Sequence, residues 1–277
     1  DQIDRKEHLR ISIYDHLISP IINLINGLKK VFIAPDSSLV NLPFEILSNS
    51  DGELFGDRFN TVIIECARDF LFTNTECNQN HGSLLLGNPQ FSVDNTIDLL
   101  DDNDIADRTR YAEIKANNIK QLPFSEFELQ MVGKYCEERW FSGTSARKSV
   151  LQDGVTKSNI HIATHGYYDL SEESDSIYSS CLLLAGVVDW LRTNKQSVNF
   201  GNGIVSADEI SRMNYHNVEL VVLSSCLSAM NDSALSKGFQ GIVGGFSASG
   251  VKYVISCLWE ADDFATTILM DAFYYHY

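Results

Sequence analysis

The chain has 277 residues, of which 44% are hydrophobic, and this suits one large α/β domain or two small ones. Its formal net charge of −16 argues against a nucleic-acid surface, because such a surface needs clustered lysines and arginines. No apolar run reaches the roughly 18 residues of a transmembrane helix, so we expect no membrane span. The six cysteines form no CxxC pair, which excludes a zinc ribbon, and without a secretion signal they predict reduced thiols in a cytoplasmic protein.

The first predicted element is a helix over residues 7–28, where apolar side chains recur at helical spacing. Short apolar runs follow, each of strand length and typical of a sheet that is buried on both faces. They lie at residues 31–34, 61–64, 83–86, 160–163, 181–184, 220–223 and 253–256. Helical patterns alternate with these runs, so parallel βαβ units and an α/β fold are predicted.

Acidic and hydroxyl side chains mark the starts of three predicted helices. Residues 125–128, SEFE, and residues 206–209, SADE, both have the capping-box pattern. A last helix is predicted over residues 262–275, where Asp262 and Asp263 complement the positive end of the helix dipole.

Two stretches predict long surface loops rather than packed elements. Residues 90–112 are rich in aspartate, and residues 190–203 are polar and contain glycine. Each is interpreted either as a solvated insertion or as a regulatory or substrate loop.

The stretch at residues 160–169 reads IHIATHGYYD and places two histidines four residues apart. On a helix this spacing would resemble the zinc-binding HExxH motif, but Ile162 stands where the glutamate is needed, so we expect no metal site. The β-branched residues instead indicate a strand that runs into a turn at Gly166. His165 then lies at the carboxyl end of the strand, where functional groups of open α/β sheets lie. His161 lies inside the strand and is expected to be a core histidine.

A second apolar strand, LVVLSSC at residues 220–226, ends on a cysteine. If the two strands are parallel neighbours, Cys226 and His165 arrive at the same edge of the sheet. A cysteine beside a histidine is partly thiolate near neutral pH and is a strong nucleophile. Taken alone, the pattern is a weak signal, and a buried structural cysteine is then the favoured interpretation.

Six segments in a fixed order make the chain resemble the CHAT domain, a caspase-like and separase-like family of cysteine proteases. The resemblance extends over nearly the whole chain, and the segments are specific as a set, although each is common by itself. They are VFIAPDSSL with LPFEIL (31–39 and 42–47), LLLGNP (84–89), IHIATHG (160–166), VVLSSC (221–226), the glycine-rich helical pattern at 238–250, and SCLWEADD (256–263).

The resemblance implies a caspase-like three-layer sandwich, in which a mostly parallel sheet is flanked by helices. It implies a single domain over residues 1–277. Residues 1–30 would be a helical lead-in, residues 31–150 a first half, and residues 151–277 a catalytic half that is truncated at its C-terminus.

Roles for individual residues also follow from the resemblance. Cys226 would be the nucleophile and His165 its partner in proton transfer, with the backbone N–H groups of Gly166 and Cys226 as the oxyanion hole. Glu260 and Asp263 would line a pocket for a basic P1 residue. The alternative for Asp263 is that it caps the last helix together with its neighbour.

Asp169 follows the predicted turn and is a further substrate-site candidate. It would orient His165 or contact the substrate, and the alternative is a solvated loop carboxylate. No cofactor and no metal are predicted.

The family context implies a partner as well as a protein substrate. The start, DQIDRKEHLR, and the end, DAFYYHY, suggest a piece of a longer protein. We expect a regulatory N-terminal helical-repeat or sensor domain, or a partner protein, in a bacterial signalling or defence system, with residues 190–203 as a switch or self-cleavage loop. The alternative is a catalytically silent scaffold that binds proteins. A flavodoxin-like nucleotide-binding module is disfavoured, because neither GxGxxG nor GxxxxGK[ST] occurs.

Overall fold

The computed structural model describes a defined part of the chain, which divides into two compact units, Asp1–Thr75 and Glu76–Tyr277. The described residues are 2–36, 39, 42–64, 82–93, 99–101, 111, 114–136, 140–168, 180–224, 235–257 and 262–277. Within these ranges, none of the helices has both the length and the apolar character needed to cross a bilayer.

The first unit combines short helices with a two-stranded parallel sheet. Its elements are α1 (Gln2–Leu17), α2 (Ile22–Ile25), β1 (Lys30–Ile33), α3 (Phe55–Arg58) and β2 (Asn60–Ile63). The two predicted strands are confirmed. The single helix predicted over residues 7–28 is wrong, because Pro20 lacks a backbone N–H and separates α1 from α2. The core of this unit consists of Tyr14, Ile18, Phe44, Leu47, Phe55 and Phe59.

The second unit holds the remaining elements, and every strand predicted in this part of the chain is confirmed. Its strands are β3 (Ser83–Pro89), β4 (Leu99–Asp101), β5 (Trp140–Gly143), β6 (Asn159–Ala163), β7 (Gly166–Tyr168), β8 (Ser180–Leu183), β9 (Lys195–Ser197), β10 (Ile204–Ser206), β11 (Leu220–Leu223) and β12 (Tyr253–Ser256). Its helices are α4 (Pro123–Cys136), α5 (Lys148–Asp153), α6 (Val187–Thr193), α7 (Ala207–Ser211), α8 (Leu235–Ala248) and α9 (Asp263–His276).

A five-stranded sheet in the order β12-β11-β6-β3-β5 forms the middle layer, and its neighbouring strands all pair in parallel. Because side chains alternate along a strand, each strand presents one set of residues to each face. Ile160 and Ile162 pack in a cluster that includes residues of α5, α7 and α8, whereas Leu85 and Val222 pack on α4 and α9. The result is the predicted α/β architecture, a mostly parallel sheet with helices on both sides.

A smaller antiparallel sheet, in the order β10-β8-β7, starts where β6 ends. Only Thr164 and His165 separate β6 from β7, and the N–H of Leu183 in β8 donates to the carbonyl oxygen of His165. A second hydrophobic core lies on this sheet. It includes Phe91, Tyr167, Cys181, Leu183, Val187, Val188, Trp190 and Ile204. This core therefore lies beside the end of the central strand.

The prediction that residues 90–112 and 190–203 lack packed elements is wrong for their described parts. Residues 190–203 include the end of α6 and strand β9, and β9 pairs in antiparallel register with β4. Backbone pairing needs no apolar pattern, so composition did not reveal it.

The two predicted capping boxes have different outcomes. At residues 206–209 the Ser206 hydroxyl accepts from the backbone N–H of Glu209, whose carboxylate accepts from the N–H of Ser206, and the prediction is confirmed. At residues 125–128 the prediction is wrong, because α4 already starts at Pro123, a favoured first helical residue. The Ser125 hydroxyl donates instead to the carbonyl of Leu122.

Helices α7 and α8 approach each other through backbone at Gly245. A Cβ atom added to Gly245 would lie 2.6 Å from the carbonyl oxygen of Ala207, well inside van der Waals contact. The spacing of these helices is thus limited by main-chain atoms.

We predict that Gly245→Ala destabilises the protein by about 1–3 kcal/mol, because the new methyl group forces the two helices apart. Glycine-to-alanine changes inside helices ordinarily stabilise by roughly 0.5–1 kcal/mol, so the sign of the change is diagnostic. Urea unfolding followed by circular dichroism measures it. A variant as stable as the parent protein would contradict the close contact.

Candidate active site

The carboxyl edge of the central sheet brings together the two strands that precede the predicted catalytic residues. Strands β6 and β11 are parallel neighbours, with Ile162 opposite Leu223, and the N–H of Ser224 donates to the carbonyl of Ile162 at 2.8 Å. His165 follows Ile162 by three residues, and Cys226 follows Leu223 by three. The condition for a shared edge, that the two strands are parallel neighbours, is therefore met.

His165 is held on two sides and is only 8% exposed. Its Nε2 atom lies 2.7 Å from the carbonyl oxygen of Lys120, and its ring stacks on Phe91 with centroids 5.3 Å apart and an interplanar angle of 28°. Since a carbonyl oxygen only accepts, Nε2 must carry the proton of this hydrogen bond. In the neutral imidazole the lone pair then lies on Nδ1.

Burial lowers the pKa of His165 below its ordinary value of 6.5. The hydrogen bond to Lys120 and the negative charge of Asp263 act in the opposite direction and are outweighed. At neutral pH the ring is thus predominantly neutral, and Nδ1 is able to accept a proton.

The two aspartates at the start of α9 have different roles. Asp262 is the N-cap, since its Oδ1 accepts from the N–H of Ala265 at 2.9 Å, which confirms the predicted cap for this residue. The half-buried carboxylate of Asp263 instead accepts a hydrogen bond from the backbone N–H of Phe124 and interacts electrostatically with His165. Burial, reinforced by the charge of Glu128, raises the pKa of Asp263.

His161 is a core residue, as predicted, and is fully buried on the α4 and α9 side of β6. Its Nε2 lies 2.9 Å from Oε1 of Glu128 in α4, whose side chain is 1% exposed. Its Nδ1 lies 3.2 Å from the hydroxyl of Tyr274 in α9. The two histidines of the IHIATHG motif thus have different surroundings, one with a buried carboxylate and one with a backbone carbonyl.

Gly166 does not end a strand as predicted. It is the first residue of β7, pairs with Leu182 and takes no positive φ, so the turn lies at Thr164 and His165. The prediction failed because β7 is short and its partner β8 lies further along the chain. The proposed oxyanion role of its N–H stays a prediction.

Three predicted site residues, Asp169, Cys226 and Glu260, lie outside the described residues, so their roles stay predictions. Two contributors to the site were not predicted, namely the Lys120 carbonyl and the Phe91 ring. A backbone carbonyl leaves no sequence signal, whereas Phe91 lies just beyond the LLLGNP segment and could have been found there. In the described ranges no three His, Cys, Asp or Glu side chains come together as a metal site.

Comparison with known families decides the relationship. A family model described as the CHAT domain matches residues 10–277. The chain belongs to the CHAT domain family. A CHAT domain is a caspase-like, protease-related domain, so the fold and the order of the segments agree with the resemblance of the sequence. No curated protein matched the chain.

In this CHAT domain we predict that the pKa of His165 lies below 6.5 and falls further in Asp263→Asn. The reason is that the amide keeps a similar shape but removes the negative charge that favours the imidazolium. Histidine-selective NMR titration measures both values. Asp262→Asn is the matched control, because asparagine also caps helices well and Asp262 is not among the groups that act on His165. A pKa that rises in Asp263→Asn would contradict this electrostatic assignment.

Proposed function

We propose that this CHAT domain is a caspase-like cysteine endopeptidase with Cys226 as nucleophile and His165 as the residue that transfers the proton. The observation that carries the proposal is the position of His165. Its ring is buried at the edge where β6 and β11 end in register, and its Nε2 donates to the Lys120 carbonyl. Nδ1 is then the basic nitrogen of the ring. Cys226 comes three residues after the end of β11, and β11 ends at the same edge of the sheet.

The proposed reaction is acyl transfer in two halves. The Cys226 thiol gives its proton to Nδ1 of His165 while Sγ attacks the scissile carbonyl carbon. The imidazolium then protonates the leaving amine as the C–N bond breaks, which leaves an acyl-enzyme that water hydrolyses. The Lys120 carbonyl orients the ring through both halves, and it stabilises the imidazolium by accepting from Nε2. The low pKa of buried His165 favours release of the proton to the amine.

An oxyanion hole is proposed from the backbone N–H groups of Gly166 and Cys226. Gly166 directly follows His165 and pairs with Leu182 of β8, which supports the proposed role of its N–H. Each such donor typically contributes on the order of 3 kcal/mol to transition-state stabilisation.

The proposed substrate is a protein segment with a basic P1 residue. Asp263 supports this assignment, because its half-buried carboxylate lies at the start of α9 and is electrostatically coupled to His165. Glu260 and Asp169 are proposed to add negative charge around the same pocket. The net charge of −16 favours the approach of cationic substrates in general.

The biological setting is proposed from the family. We infer that the domain works in the bacterial cytoplasm, where thiols stay reduced, as part of a signalling or defence system. A regulatory N-terminal repeat or sensor domain, or a partner protein, would switch it on.

We predict that an electrophilic peptide probe modifies Cys226 selectively and that Cys226→Ala abolishes both labelling and proteolysis. His165→Ala should lower kcat/KM by at least about 100-fold, the usual share of general acid–base catalysis. Mass spectrometry of the adduct and a fluorogenic peptide assay measure these effects. Cys257→Ala is the matched control, because Cys257 is a partly buried cysteine directly after β12. Selective labelling elsewhere, or full activity of Cys226→Ala, would exclude Cys226 as the nucleophile. A parent protein that neither reacts with the probe nor cleaves peptides would favour the silent scaffold.

We predict that a P1-scanning peptide library shows a preference for lysine or arginine. Asp263→Asn should lower kcat/KM for these peptides by roughly tenfold or more, since a charge-assisted hydrogen bond is worth about 1.5–3 kcal/mol. Asp262→Asn should leave the preference unchanged, because that carboxylate caps α9. A parent enzyme that prefers leucine, methionine or aspartate at P1 would rule out the acidic pocket.

A further inference from the structure

Helix α6 holds the chain that follows β3 by three hydrogen bonds. The Asp189 carboxylate accepts with both oxygens, from the Ser92 hydroxyl at 2.8 Å and from the backbone N–H of Val93 at 2.6 Å. The N–H of Val188 donates to the carbonyl of Phe91 at 2.9 Å. We call the two bonds of the carboxylate the Asp189 clamp. Together these contacts fix three consecutive residues, 91–93, to the first turn of α6.

The clamped segment carries a side chain that touches the proposed catalytic histidine. The Phe91 ring is 2% exposed and belongs to the second hydrophobic core, together with Val187 and Val188 of α6. Its face lies against the ring of His165, with centroids 5.3 Å apart. Phe91 therefore forms one wall of the dry environment around His165 and connects it to α6.

We propose that Asp189 is a positioning residue for the endopeptidase reaction, which holds Phe91 against His165 through its bonds to Ser92 and Val93. The inference rests on the proposed function and assigns Asp189 no contact with substrate. Hydrogen bonds to a charged carboxylate contribute about 1.5–3 kcal/mol, enough to decide between two arrangements of a short segment. When both hydrogen bonds of the Asp189 clamp are formed, the imidazole of His165 stacks on the Phe91 ring and keeps one orientation towards the Lys120 carbonyl.

A simpler role for Asp189 is to stabilise the N-terminal end of α6 through the helix dipole, and a control variant separates the two roles. Asp208 also lies in the first turn of a short helix, α7, and pairs with Arg212 at 2.9 Å. Loss of either carboxylate removes a comparable dipole interaction. Of these two carboxylates, the one that binds the segment carrying Phe91 is Asp189.

The experiment compares Asp189→Ala, Ser92→Ala and Asp208→Ala by histidine-selective NMR titration of His165, with circular dichroism to verify folding. The direction in which the pKa of His165 changes separates the two roles of Asp189. Loss of the Asp189 charge by itself can only lower the pKa of His165, whereas loss of the Phe91 cover admits water and raises it. Among the described residues, the Lys120 carbonyl and Asp263 also act on His165, and both are unchanged in these variants.

We expect the pKa of His165 to rise towards 6.5 in Asp189→Ala and in Ser92→Ala, and to stay constant in Asp208→Ala. The rate at which a peptide probe labels Cys226 should fall about ten- to hundredfold in Asp189→Ala, because misplaced catalytic groups react slowly. An unchanged or lowered pKa in folded Asp189→Ala, or the same rise in Asp208→Ala, would overturn the proposal. If Asp189→Ala fails to fold, Ser92→Ala decides, because it keeps the bond to Val93.

The two proposals fail in different ways. If the pKa of His165 rises in Asp189→Ala while the parent protein leaves Cys226 unlabelled, the clamp stands and the endopeptidase assignment fails. If Cys226 is labelled equally in both proteins and the pKa does not move, the endopeptidase stands and the clamp is wrong.

Discussion

Backbone hydrogen bonds from β6 to β3 on one side and to β11 on the other determine where His165 lies. The register is specified by side chains, because a slip of one residue would move Ile160 and Ile162 to the face that now holds His161. That slip would place two aliphatic side chains against the Glu128 carboxylate and a histidine in the largest apolar cluster. The buried pair of Glu128 and His161 thus opposes misalignment of the strand that carries the site.

The two buried histidines differ in their partners, and this difference separates structure from chemistry. His161 faces a carboxylate at 2.9 Å in a fully buried site, where loss of either side chain would leave the other polar group buried without its neighbour. His165 faces a neutral carbonyl and an apolar ring, which leaves it basic at one nitrogen. The two surroundings remain electrically connected, because Glu128 raises the pKa of Asp263 and Asp263 in turn favours the charged form of His165.

The strands and the α/β class were predictable because long apolar runs leave few alternatives to a buried parallel sheet. The position of His165 at the carboxyl edge of the sheet could be predicted from the same pattern, because the carboxyl ends of parallel neighbouring strands lie at the same edge. Tertiary contacts were not predictable in this way. Strand β9 forms by pairing with a distant segment, Pro123 moves the start of α4, and the Lys120 carbonyl that orients His165 is a group that every residue has. These features depend on contacts between residues that are distant in sequence, and local residue types do not predict such contacts.

The backbone contact at Gly245 has a mechanical consequence. Packed helices usually shift past one another through small side-chain adjustments, but α7 and α8 touch here without a side chain that could yield. Helix α7 directly follows β10, and β10, β8 and β7 form one hydrogen-bonded ribbon that begins next to His165. A displacement of α8 at this contact would therefore push directly on the backbone of α7, the helix that follows the ribbon, with no side chain between them to absorb it.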